Sequence, residues 1–150
     1  MRAANRLVLD ASVAAKWHLK DEEYGDRALE LLRRYQEGQL QLVAPYLINY
    51  ELSNAFLIAS RRRRIAFSQA AEAFREFADL GLPTPSGHAR TSQALDLAER
   101  YGCSFYDALY LALAEELGAR LITADRELFD RLVQAVDYLL WIADYPEGRA

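Results

Sequence analysis

Four acidic residues of this chain fall where an α/β protein gathers its chemistry: Asp10, Glu51, Asp107 and Asp125. Asp10 and Asp125 sit where short apolar strands are predicted to end, and ligands of open α/β sheets bind outside the carboxyl ends of strands. Each aspartate, taken alone, is equally well placed to cap the helix that follows it. Glu51 has Ile48 and Leu47 three and four positions behind it, and Asn54 and Ala55 ahead. That spacing sets its carboxylate on or beside an apolar stripe. A charge taken out of water must be paired, bound to metal or neutralised; the plainer alternative is a stripe-edge side chain that reaches solvent by its own length. Asp107 lies near the start of the most apolar helix. Ser104-Phe105-Tyr106-Asp107 has the spacing of a capping box, although aspartate is shorter than the glutamate usual there.

No single acid decides the chemistry; the set does. Four carboxylates in one pocket repel by on the order of several kcal/mol unless protonated or neutralised by cations. Oxygen-only ligands of this kind select hard divalent ions, Mg²⁺ or Mn²⁺, over zinc. Such a site can activate water and steady the leaving oxygen of a phosphodiester. Competing chemistries find little support. His18 and His88 lack a plausible nucleophile spacing, the seven glycines are scattered rather than grouped in a phosphate-cradling loop, and the single cysteine, Cys103, excludes an internal disulfide or a thiolate metal site.

The elements that must position these residues alternate between strand and helix. Strands are expected at Leu7–Leu9, Leu40–Val43, Arg120–Thr123 and Tyr138–Ile142, each short and mainly apolar as in a sheet buried on both faces. Helices are expected from Ala11 to Leu19, from Glu22 to Glu37 with Gly38 ending it, and from Pro45 to about Arg62. Others run from a Ser68 cap to near Gly81, from Gly87 to Tyr101, from Phe105 to Leu117 before Gly118, and from Glu127 to Val133. This is an α/β pattern with a mostly parallel sheet.

The whole chain of 150 residues reads as one domain, residues 1–150, with no repeat or linker. Its 52% hydrophobic and 27% charged residues describe a globular protein. No apolar run approaches the roughly 20 residues of a membrane span, and the apolar stretch before Asp10 is too short for a signal peptide, so a cytoplasmic protein is expected. A net charge of −4 argues weakly against nucleic acid, yet an acidic metal site makes its own negative contribution. Among the basic residues, Arg61-Arg62-Arg63-Arg64 could track an RNA backbone or simply end a solvated helix. Lys16, within two turns of Asp10, is a further candidate phosphate contact. Phe67, Phe74 and Phe77 have helical spacing and fit core or a subunit surface better than a base-stacking platform.

Four segments carry a family resemblance. Leu9-Asp10-Ala11-Ser12-Val13-Ala14-Ala15-Lys16-Trp17 is similar to the opening motif of PIN-domain nucleases of the VapC toxin type. Ala44-Pro45 through Tyr50-Glu51-Leu52-Ser53-Asn54-Ala55 resembles the second, Phe105 to Ala114 with Asp107 the third, and Gly118 to Leu128 with Thr123-Ala124-Asp125 the fourth. They occur in the family's order and span Leu7 to Leu128.

The resemblance implies a three-layer α/β/α sandwich around a mostly parallel sheet of about five strands. It implies a Mg²⁺- or Mn²⁺-dependent endoribonuclease using a metal-activated water, with Asp10, Glu51, Asp107 and Asp125 as catalytic metal ligands. Ser12 and Thr123 match supporting hydroxyl positions; Lys16, Arg61 and Arg62 are candidate RNA contacts from their charge and spacing alone. A homodimer held inactive by a small cognate antitoxin is also implied. The alternatives are a housekeeping RNA-processing nuclease and an idle interaction module of the same fold; a phosphorylated receiver-like domain lacks its late lysine and its acidic pair. Transfer, ribosomal and messenger RNA all stay open as substrates.

Overall fold

The four apolar runs form four strands in the computed structural model, which describes residues 5–146. They are β1 (Arg6–Leu9), β2 (Gln41–Val43), β3 (Arg120–Thr123) and β4 (Leu139–Trp141). Every pairing is parallel and the order is β2-β1-β3-β4. The sheet thus has four strands among the described residues, one fewer than the about five the resemblance implies. From β1 the chain crosses to β2 on one side, and β3 lies on the other. The carboxyl ends of β1 and β3 therefore form the switch point at which such sheets open a crevice.

Alternate strand side chains sort the helices into two layers. Leu7 and Leu9 of β1 and Ile122 of β3 join one apolar core with α1 (Ala11–Ala14), α2 (Gly25–Gln36), α3 (Leu47–Arg61) and α4 (Phe67–Asp79). Val8 and Leu121 point the other way, into a second core with α5 (His88–Tyr101), α6 (Phe105–Leu117) and α7 (Arg126–Leu132). That period-two division makes the three-layer α/β/α sandwich. Helix α6, apolar on nearly every side, is buried at Ala108 and from Tyr110 to Ala114.

Several boundaries differ from expectation for visible reasons. After α1 the chain tightens into a 3-10 turn, Ala15–Trp17, where the Trp17 indole N–H donates to the Ala28 carbonyl at 2.7 Å. Helix α2 starts at Gly25 rather than Glu22, because Glu22 is engaged by Lys16 and Arg64 and Tyr24 takes a left-handed conformation at φ 63°. Ser68 does not cap α4. The helix begins at Phe67, and the Gln69 side chain accepts the Ala66 backbone N–H at 2.7 Å instead. Gly38 and Gly118 end α2 and α6 at φ 74° and 60°, backbone angles that a Cβ disfavours. Phe77 is buried and Phe74 packs on the same core, whereas Phe67 is exposed. No helix among the described residues is long and apolar enough to cross a membrane.

Candidate active site

Strand β1 delivers Asp10 to the carboxyl edge of the sheet, and its side chain does not cap α1. Instead, Asp10 Oδ2 accepts the hydroxyls of Ser12 at 2.6 Å and Thr123 at 2.8 Å. The two hydroxyls are themselves fixed: Ser12 Oγ accepts the Ala124 N–H at 2.9 Å and Thr123 Oγ1 accepts the Asp125 N–H at 3.1 Å. One carboxylate oxygen is thus held by a network of donors spanning β1, β3 and the α1 start. Asp10 Oδ1 receives no hydrogen bond among the described residues and is open to a ligand.

Asp125 follows β3 and does act as a helix cap, with Oδ1 accepting the Leu128 N–H at 3.1 Å. Its exposed side chain keeps the other oxygen. Asp107 likewise combines roles. Its backbone N–H donates to Ser104 Oγ at 3.0 Å, which caps α6, while its carboxylate remains half-buried near the other acids. Glu51, in the second turn of α3, is half-buried and accepts the Tyr110 hydroxyl from α6 at 2.5 Å.

The electrostatics tie the four together. Burial lifts the Asp10 carboxyl above its ordinary range; the Ser12 and Thr123 hydroxyls work against that rise, and Asp125 and Asp107 add to it. Burial is also the main cause for Glu51, pushed up to about 7, with the Tyr110 bond opposing and Asp10, Asp107 and Asp125 reinforcing. Asp107 is raised by burial and by Asp125, against a lowering contribution from Ser104. Tyr110 is 2% exposed, and burial with the neighbouring Asp10 and Glu51 charges keeps its phenol protonated. None of the four acids forms a salt bridge among the described residues.

That leaves an oxygen-only, uncompensated anionic donor set, which suits a hard divalent cation. The carboxylates act on one another through space, yet no three His, Cys, Asp or Glu side chains among the described residues converge closely enough to form a ready-made metal cage. Magnesium does not require one, since it retains several waters and is held by one or two carboxylates. The residues fit such an ion.

The chain is similar to known proteins along most of its length. The family model of the PIN domain matches residues 7–134. The chain belongs to the PIN-domain family. It is 32% identical over 129 residues to "Ribonuclease VapC3" of Pyrobaculum aerophilum, a match covering 84% of this chain and 94% of that protein. The crystal structure of PAE2754, also from Pyrobaculum aerophilum, superposes with a TM-score of 0.67 at 22% identity, covering 93% of this chain and 92% of that one. The PIN fold and the VapC-type relationship read from the four motifs are therefore borne out.

The weaker contacts expected from sequence have different surroundings. Lys16 is only 7% exposed and its ammonium lies 3.3 Å from Glu22. Arg61 and Arg62 are exposed at the far end of α3, roughly 15 Å along the helix from Glu51. Tyr110 joins the site without having been expected there. Its one sequence signal is the three-residue spacing from Asp107, which puts both on one face of α6.

Proposed function

We propose that this PIN-domain protein is a divalent-cation-dependent endoribonuclease, with Mg²⁺ or Mn²⁺ held by Asp10, Glu51, Asp107 and Asp125, one or two of them directly and the others through waters the ion retains. The observation that carries this reading is the uncompensated carboxylate set: burial and acidic neighbours raise the proton affinity of Asp10, Glu51 and Asp107, Asp125 is one of those neighbours, and none of the four has a salt-bridge partner among the described residues. The name of the VapC3 relative supports RNA as substrate.

A divalent cation at this site supplies activated water and steadies the leaving oxygen of the phosphodiester. The chain's own groups do the rest. Ser12 and Thr123 fix the rotamer of Asp10 so that its free oxygen is aimed rather than mobile. Tyr110 holds the Glu51 carboxylate in place and favours its ionised form, the form that binds a cation. Asp125 and Asp107 are anchored by their helix starts, which keeps the set preorganised.

By the same relationship, the protein acts in the cytoplasm as the toxin of a toxin–antitoxin pair, as a homodimer restrained by a small antitoxin. Lys16, Arg61 and Arg62 contact RNA in this reading. The reaction class is tested by offering RNA and DNA oligonucleotides of one sequence with Mn²⁺. Preferential cleavage of the RNA is expected, and cleavage of DNA alone contradicts the assignment.

A further inference from the structure

A cavity of about 410 Å³ opens beside the acidic site. Ser12 and Glu51 contribute to its wall, and so do Lys16, Glu22 and Arg64. The last three form a linked cluster. Glu22 Oε1 lies 3.3 Å from Lys16 Nζ, and its other oxygen, Oε2, lies 3.2 Å from Arg64 Nη2. Arg64 also grips Asp21 with two nitrogens, at 2.9 and 2.6 Å.

Two features set this cluster apart from an ordinary surface ion pair. Lys16 is almost wholly withdrawn from water, yet its three-donor ammonium has a single, long hydrogen bond among the described residues. The ammonium lines the cavity with donors left over for a ligand. Secondly, one carboxylate spans two cations, each oxygen on a different one, which is the way a phosphate group bridges lysine and arginine. Both contacts of Glu22 are long, while those of Asp21 are short. Glu22 is therefore the readily displaced member.

We infer that Lys16 and Arg64 form a phosphate subsite for the RNA strand beside the reacting bond, and that Glu22 occupies the position of the phosphate until the strand displaces it. The inference rests on the ribonuclease reading for the identity of the strand. Glu22 is then a built-in competitor that excludes weakly bound anions from the mouth of the site. Arg64 stays anchored to Asp21 through Nε and Nη2, which holds Nη2 facing the phosphate position.

The test is binding of a labelled single-stranded RNA in EDTA, without turnover, across a series of NaCl concentrations. Each phosphate contact contributes about one to the slope of log affinity against log salt. Arg64→Gln is expected to reduce the slope by about one and weaken binding at every salt concentration. Lys16→Met should do the same if it folds; Arg64 lies near the surface and carries the test if it does not. Glu22→Gln is expected to tighten binding several-fold, since it removes the competitor and keeps the shape. An unchanged slope in a folded Arg64→Gln protein overturns the inference, as does a wild-type protein that binds no RNA. Wild-type cleavage of RNA alongside an unchanged slope defeats the subsite alone. A reduced slope in a protein that cleaves nothing leaves the subsite standing and defeats the nuclease reading.

Discussion

The Tyr110 phenol donates to Glu51 Oε1 at 2.5 Å, joining the most buried helix of one layer to the acid-bearing helix of the other. The bond favours the ionised carboxylate, so it partly offsets the rise that burial imposes on Glu51. Tyr110→Phe removes the donor and keeps the ring in its packed place. The acidic limb of the pH–rate profile should then move upward, and a limb displaced by about one pH unit lowers activity at pH 7 by up to about tenfold. A profile that overlays the wild type shows that Tyr110 has no hold on the group that titrates.

Glu51→Gln is expected to abolish metal-dependent cleavage while circular dichroism and melting remain native. The amide has nearly the same shape but carries no charge and is a poor ligand for a hard cation. Full activity in a normally folded variant removes Glu51 from the site.

The raised Glu51 carboxyl also makes stability depend on pH. Its folded value, about 7, lies above the ordinary value of 4.5. The folded state therefore binds more protons than the unfolded one in this window, and ionisation costs stability as pH rises from about 4.5 through 7. Asp10 and Asp107 are raised too and act in the same sense. His18, lowered mainly by burial, acts in the opposite sense below 6.5. Comparing wild type with Glu51→Gln cancels that contribution. In EDTA the wild type should lose about 1–2 kcal/mol more than the variant between pH 5 and 8, after allowance for partial solvent exposure. Parallel curves refute the assignment.

Manganese should reverse this cost. Binding to the native acids stabilises by mass action, so the melting temperature should rise with millimolar Mn²⁺ and rise further at pH 8 than at pH 6, where Glu51 is mostly protonated. Magnesium should act in the same direction. The same melting temperature with Mn²⁺ and with EDTA argues against a cation site in the folded chain.

Much of the architecture is legible in the sequence because local and global signals agree. The span of α6 follows from a thirteen-residue apolar helix bounded by Ser104 and Gly118, and β3 from Arg120 to Thr123 is equally clear. The α4 start is not legible in the same way: Ser68 is a favoured cap residue, whereas a Gln69 side chain caps Ala66 from within the helix. The strand-end positions of Asp10 and Asp125 are readable, but not that one turns to hydroxyls while the other caps a helix. That choice depends on Thr123, which stands 113 residues from Asp10. Tyr110 looks like core because it is core; its hydroxyl finds Glu51 only once the two layers meet over the sheet. The Glu22–Arg64 contact spans 42 residues and has no local signature.

One comparison bears most sharply on whether these carboxylates hold a cation that cleaves RNA. Purified protein is given a mixed RNA pool with Mn²⁺, with EDTA, and with Mn²⁺ after Asp10→Asn. Cleavage in the first lane alone is the expected result. Equal cleavage in all three lanes contradicts the proposed site, because hydrolysis would then need neither the cation nor the carboxylate at its centre.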